Sequence, residues 1–177
     1  MINNAGVMHT GSFDRKDSIG LWKSMIDVNV THVAMMSNLF LPQLLARGGK
    51  RSGLINVSSQ FGYFQGGAGA AVYCATKGYV NFFTCALAGE LADKPIDVQC
   101  MTPGLTHTNL LGENSNKPGA LSPRTCVEGS LRDLGSGEIL TAGNIKHDIQ
   151  IFPIAILSKL SIVQYGMAYI MGNHFYH

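Results

Sequence analysis

Charge is scarce in this sequence and nearly balanced. Asp, Glu, Lys and Arg make up 14% of the 177 residues, and 13 basic side chains set against 11 acidic ones leave a net charge of +2. So small an imbalance creates no field for a polyanion, and no nucleic-acid partner is expected. Cysteine is sparse as well. The four residues Cys74, Cys85, Cys100 and Cys126 contain no Cys-x-x-Cys pair, and none of the six dispersed histidines stands at ligand spacing to a cysteine or carboxylate. This excludes a metal frame or disulfide scaffold and predicts free thiols in a reducing, intracellular compartment. No charged start followed by an apolar run marks a secretory signal. The apolar stretch from Ile149 to Gly172 is broken by Pro153, Lys159 and Gln164, which argues against a membrane-spanning helix and for core or membrane-surface contact.

What is present is apolar: 46% of the residues are hydrophobic, enough to build one core, and residues 1–177 are expected to form a single domain. Between Ser18 and Ala46, Trp22, Met25, Ile26, Val33, Met36, Phe40 and Leu44 recur every three or four positions and predict one amphipathic helix. Gly53 to Ser59 reads as a buried strand ending on small polar residues, followed by a glycine-rich loop from Gly62 to Gly69. A second helix is predicted from Tyr73 to Ala92 through Tyr79, Phe82, Phe83, Ala86 and Leu87, then a strand from Pro95 to Met101 ending at Pro103-Gly104. Strands alternating with long helices predict an α/β fold: a doubly wound parallel sheet covered on both faces, with right-handed crossovers and ligands at the carboxyl ends of the strands. Gly112 to Ser122 reads as a loop, Ser122-Pro123 as the start of a helix reaching about Leu134, and a further helix is expected after Pro153.

Each strand end carries small polar residues: Asn3, Asn4 and Gly6, then Ser58 and Ser59, then Thr106 and Thr108 after Pro103-Gly104. They are expected to converge on one cleft. Tyr73 and Lys77 stand four apart and share a helix face, where an ammonium near a phenol would favour the phenolate and lower its pKa. Such a pair supplies acid and base near neutral pH. Asn29 is a polar residue on an apolar helix stripe, and the aromatics Phe61, Tyr63 and Phe64 stand where a substrate could pass or a core could pack.

The ordered set Asn3-Asn4-Ala5-Gly6, Asn29, Ser58-Ser59, Tyr73-Cys74-Ala75-Thr76-Lys77 and Pro103-Gly104 resembles the short-chain dehydrogenase/reductase family over most of Met1 to Leu110. The resemblance implies a Rossmann-like fold and hydride transfer from NADP(H), with NAD not excluded. It implies that Tyr73 donates a proton to a carbonyl, that Lys77 holds the nicotinamide ribose, that Ser59 orients the carbonyl, and that Asn29 holds a water linked to Lys77. Ser58 is the alternative to Ser59, because Ser59 lies one residue farther from Tyr73 than the family interval. Asn4, Ala5, Gly6, Pro103, Gly104, Thr106 and Thr108 would complete the cofactor contacts, with Thr108 meeting the carboxamide.

Leu121-Ser122-Pro123, Thr141-Ala142-Gly143 and His147-Asp148-Ile149-Gln150 resemble the branch containing very-long-chain 3-oxoacyl-CoA reductases and hydroxysteroid dehydrogenases. That branch implies a lipid-like carbonyl substrate and association with the endoplasmic reticulum membrane. In the family, Asn-Asn-Ala-Gly closes a strand that follows the first strands and the glycine-rich pyrophosphate turn. The expectation is therefore a partial fold: residues 1–110 as the catalytic half, residues 111–177 as substrate loop and apolar extension. Its partners would be a second copy across the 18–46 and 73–92 helices, or a separate N-terminal half. A non-catalytic structural or interaction protein of the same fold is the alternative reading.

Overall fold

The computed structural model describes residues 1–63, 67–110 and 119–149. Phe64, the beginning of the expected loop from Gly112, Gln150 and the helix expected after Pro153 lie outside the described residues. Four parallel strands, β1 (Ile2–Asn3), β2 (Ser52–Val57), β3 (Ile96–Met101) and β4 (Leu140–Thr141), lie side by side in sequence order. Between them run α1 (Ile19–Ile26), α2 (His32–Leu45), α3 (Ala71–Glu90) and α4 (Pro123–Asp133). The fold is α/β, with helices on both faces of the sheet.

Alternation along the strands sorts the two faces. Leu54 of β2 and Ile96 of β3 pack with Leu41, Leu44 and Leu87 of α2 and α3, and Cys100 packs with Val33 and Val80. The residues between them, Ile55 and Met101, point the other way and pack with Cys126 and Leu134 at α4. Gln99 on that same face accepts a 2.8 Å hydrogen bond from Ser130. Because the strands advance in one direction across the sheet, crossovers over opposite faces have opposite hands. The expectation of uniformly right-handed crossovers is therefore corrected: the α4 crossover has the opposite hand to the α3 crossover.

The helix predicted over Ser18 to Ala46 is continuous but not uniform. A π-turn at Asp27–Thr31 separates α1 from α2 and carries buried Asn29. Such wide turns recur at functional positions because they rotate one residue out of the helical stripe. In α3 the apolar positions that mark the helix divide, with Phe83 and Leu87 packing against the core and others turned outward. Phe82 is 79% exposed, whereas the inward face carries Tyr73, Thr76, Lys77, Asn81 and Thr84 among small apolar residues. Polar contacts serve that inward face. Asn3 Nδ2 donates to Asn56 Oδ1 at 2.8 Å and to Ser37 Oγ at 3.1 Å, and Asn56 Nδ2 donates to Thr84 Oγ1 at 3.0 Å. This ladder ties β1, β2, α2 and α3 together and leaves those buried donors satisfied.

Helix α4 begins as the sequence predicts, with Pro123 in the first turn and the Ser122 hydroxyl accepting from Thr125 N–H at 3.1 Å. β4 has only two residues, too few for a periodic signal. All four cysteines are free thiols. Behind β4, Gly143 takes φ +71° and lies against α4 so closely that a Cβ on Gly129 would overlap the Gly143 carbonyl. This approach seats the segment leading to His147. We expect Gly129→Ala to lower the unfolding free energy by about 1–3 kcal/mol or more in urea denaturation. Gly89→Ala, where nothing lies within 4 Å of the new methyl, should instead raise it, by up to about 1 kcal/mol.

Candidate active site

The carboxyl ends of β1, β2 and β3 open towards the first turns of α3, and the polar residues predicted there come together unequally. After β1 the chain passes through exposed Asn4 and Ala5 to Gly6. A Cβ on Gly6 would stand 3.4 Å from both Asn29 Oδ1 and Lys77 Nζ. Asn29 is locked: its Oδ1 accepts from Val7 N–H at 2.9 Å, and its Nδ2 donates to the Val7 carbonyl at 2.9 Å and to Thr76 Oγ1 at 3.1 Å. Thr76 in turn donates to the Tyr73 carbonyl at 2.8 Å. The amide thus couples the turn after β1 to the first turn of α3, through a residue, Thr76, that sequence reasoning did not single out.

The two serines after β2 face different partners. Ser58 Oγ donates to the Lys77 carbonyl at 2.9 Å, fixing the strand end to the α3 backbone. Ser59 Oγ accepts from Phe61 N–H at 3.2 Å and hydrogen-bonds the Tyr73 phenol. Of the two serines, Ser59 is the one that acts on the phenol. Around it, Tyr73 packs with Trp22 and Met25, with Val7, Met8 and Phe61 against them, and Phe61 meets its ring edge-on at 5.7 Å. Tyr63 is half-buried in the same 3₁₀ turn, at Gln60–Tyr63.

The electrostatics correct one expectation. Burial pushes the Tyr73 phenol up to about 12; the Ser59 hydrogen bond opposes the rise and the Cys74 thiol adds to it. Burial outweighs any pull of Lys77 towards the phenolate: the ammonium lies 5.8 Å from the ring centroid and donates to the Val57 carbonyl at 3.0 Å. At neutral pH the phenol is protonated, and so able to donate rather than to act as a base. Burial also brings Lys77 down to about 8, with the nearby Cys100 thiol opposing.

After β3, Pro103-Gly104 is gripped by two residues outside the predicted set. Gln60 N–H donates to the Pro103 carbonyl at 3.0 Å, and Gly104 N–H donates to His147 Nδ1 at 3.1 Å. Their sequence separation left no signal, although His147 was noted in a C-terminal motif. Thr106 turns inward, donating to the Gly104 carbonyl at 3.1 Å and lying 3.6 Å from the Cys126 sulfur. Thr108 is partly exposed. Among the described residues no hydrogen bond links Thr106 or Thr108 to Tyr73 or Lys77, and His107 is exposed.

The family model described as short chain dehydrogenase matches residues 1–119, two thirds of the sequence. The chain belongs to the short-chain dehydrogenase family. Among curated members of this family, it is 37% identical over 106 residues to the 2,5-dichloro-2,5-cyclohexadiene-1,4-diol dehydrogenase LinX of Sphingobium indicum, covering 60% of this chain and 41% of that one. It is 29% identical over 138 residues to the very-long-chain 3-oxoacyl-CoA reductase of Macaca fascicularis, covering 76% and 43%. The crystal structure of the 3-ketoacyl-(acyl-carrier-protein) reductase from Brucella melitensis, complexed with NADH, superposes with a TM-score of 0.65 at 28% identity, covering 80% of this chain and 62% of that one. This short-chain dehydrogenase thus spans less than half the length of the two curated relatives. No helix among its described residues is long and apolar enough to cross a membrane.

The lysine offers a test of this electrostatic account. A buried ammonium with its pKa lowered disfavours the folded state at neutral pH, and the penalty fades as pH rises from about 8 towards the ordinary value of 10.5, where the unfolded chain also gives up its proton. Lys77→Met should therefore be more stable than wild type at pH 7, by up to about 3 kcal/mol. The advantage should vanish above pH 10.5. Urea titrations of both proteins across this range check it, and a less stable variant at pH 7 would contradict it.

Proposed function

We propose that the chain is a carbonyl reductase that uses a nicotinamide dinucleotide to reduce a ketone on a lipid-like substrate, with Tyr73 as proton donor. The observation that carries this reading is convergence. Gly6, Asn29, Ser59, Tyr73 and Lys77 reach one place from the turn after β1, the π-turn, the end of β2 and α3. The nicotinamide end of the cofactor suits the residues present. Gly6 leaves beside Lys77 Nζ a space that a Cβ would enter, and the ammonium spends one of its three N–H groups on Val57.

When bound, the reduced nicotinamide supplies the hydride that the carbonyl carbon accepts. Tyr73, kept protonated by burial, gives its phenolic proton to the carbonyl oxygen, and Ser59 hydrogen-bonds both phenol and substrate to orient them. Lys77 holds the ribose with its remaining donors, and Asn29 holds the water linked to Lys77. Asn4, Ala5, Gly6, Pro103, Gly104, Thr106 and Thr108 form the walls of the cofactor cleft. NADP is favoured by the resemblance, and NAD remains open because the residues that distinguish them bind the far ribose.

An apolar substrate is supported by the surroundings of the phenol, Met8, Trp22 and Phe61. A 3-oxoacyl-CoA or ketosteroid is supported by the activity named for the Macaca relative. Work at the endoplasmic reticulum membrane is favoured by the branch that Leu121-Ser122-Pro123, Thr141-Ala142-Gly143 and His147-Asp148-Ile149-Gln150 resemble. A second reading, an assembly or interaction role, is favoured by Ile19, Met35, Leu39 and Phe82, which are exposed on the outer helices. There α1 and α3 flank an open apolar groove of about 390 Å³ lined by Ile26, Val30, Ala71, Val72, Ala75 and Thr76. A second copy packing on this face is compatible with either role.

The test is consumption of NADPH by the 177-residue chain with a panel of ketones. Tyr73→Phe should lower the rate by about 10²–10⁴-fold with the fold unchanged by circular dichroism. Ser59→Ala should impair turnover, whereas Ser58→Ala should mainly cost stability. Undiminished reduction by the Tyr73→Phe protein would overturn the assignment.

A further inference from the structure

The turn after β3 is held from a distant part of the chain by a histidine with no exposed surface. His147 Nδ1 accepts the Gly104 N–H at 3.1 Å, and Nε2 lies 3.2 Å from the Leu105 carbonyl oxygen. A carbonyl only accepts, so Nε2 carries the proton and Nδ1 the lone pair: both contacts together require the neutral Nε2–H ring. The backbone joins the same arrangement. The His147 carbonyl accepts from Gln60 Nε2 at 2.8 Å, and Gln60 stands next to Ser59. Gly104 fits between them, since a Cβ there would lie 2.7 Å from Gln60 Oε1 and 2.8 Å from His147 Cδ2.

We propose that His147 is a positioning residue: its neutral ring sets the Pro103–Gly104–Leu105 turn at a fixed height beside Ser59 and Tyr73, and protonating the ring releases Gly104 and weakens cofactor binding. The proposal rests on the reading that this turn borders the cofactor. Protonation turns Nδ1 into a donor facing another donor, so the Gly104 bond is lost while the Leu105 bond survives. The displacement is transmitted to Thr106, whose hydroxyl is anchored on the Gly104 carbonyl. Nothing in the mechanism requires His147 to touch substrate.

Burial keeps the ring below the ordinary histidine value, opposed by hydrogen bonding to the Leu105 and Ala142 backbone and by the Asp148 carboxylate. Asp148 is the one charged group acting on it among the described residues. Among the described residues, the elements packed around the ring contribute Gln60, Gly104, Leu105 and Ala142. A lowered value means that the anchored turn is intact above the ordinary histidine pKa of 6.5 and is lost as pH falls through the folded value.

Nitrogen-15 NMR of the 177-residue chain reads the ring directly and needs no cofactor. The expected result is a neutral Nε2–H ring, with protection of the Gly104 amide falling about tenfold or more as the ring titrates. NADH is the binding probe, because the 2′-phosphate of NADPH itself titrates around pH 6. His147→Ala should weaken NADH on the order of tenfold above the ring's titration. His147→Asn, which keeps an acceptor at the Nδ1 position and cannot titrate, should retain affinity and lose the pH dependence. An Nδ1–H ring, or the wild-type pH dependence persisting in His147→Asn, would overturn the proposal. So would equal NADH affinity in a folded His147→Ala protein; if that variant does not fold, the ring tautomer and His147→Asn decide. Absence of NADH binding at every pH overturns the cofactor reading and this proposal together, whereas binding that ignores His147 overturns the proposal alone.

Discussion

A lysine ammonium taken out of water is the constraint around which this fold is arranged. Lys77 is 5% exposed, and burial brings its pKa down to about 8. The Val57 carbonyl supplies one acceptor, at the end of β2, where pairing with β1 has ended and Val57 still pairs with Met101 of β3. Three chain segments then close on the same helical turn. Gly6 approaches the ammonium because it lacks a side chain, Ser58 binds the Lys77 carbonyl, and a Cβ on Gly62 would press within 2.8 Å of that carbonyl. Each approach comes from a strand end or the turn after it, and the one at Gly62 leaves no room for a side chain. The small polar residues that mark the strand ends are therefore packing requirements of the lysine as much as chemical equipment.

The same burial decides what Tyr73 can do. In water a neighbouring ammonium would favour the phenolate, which is the expectation that the four-residue spacing raises. In the folded chain desolvation outweighs it, because the phenol lies among Trp22, Met25 and Phe61 while the ammonium is turned towards a carbonyl. The result is an acid rather than a base, and Ser59 is the hydrogen-bond partner at its oxygen. Asn29 contributes rigidity: its three hydrogen bonds join the turn after β1, the π-turn and α3, so the distances among Gly6, Lys77 and Tyr73 are not free to drift.

Local signals were legible in the sequence and long-range ones were not. Ser122-Pro123 announced α4, the apolar run ending at Ser58-Ser59 announced β2, and the Tyr73–Lys77 spacing put both side chains on one face of α3, because each depends on neighbours in the chain. The π-turn at Asn29 and the two-residue β4 left no periodic trace. The hand of the α4 crossover depends on which face of the sheet Cys126 and Leu134 cover, a choice made by Ile55 and Met101 from elsewhere. The hold of His147 on Gly104 spans 43 positions and is likewise invisible to pattern.

Helix α3 shows that a pattern can identify an element without fixing which side it buries. Its apolar stripe, including Tyr79 and Phe82, identified a helix, yet Phe82 is exposed and the buried face carries Lys77, Asn81 and Thr84. A helix normally gains stability by burying its apolar side. Here α3 shares its inner side between apolar residues such as Val80 and Leu87 and polar ones, and hydrogen bonds such as Asn56 to Thr84 and Ser58 to the Lys77 carbonyl satisfy the latter. Tyr73 and Lys77 face inward from the same two turns whose Ala71, Val72 and Ala75 line the outer groove. Placing the reactive side chains in the interior therefore puts Ala71 and Ala75 outside, so the orientation of this 20-residue helix sets both the chemistry of the cleft and the character of the opposite surface.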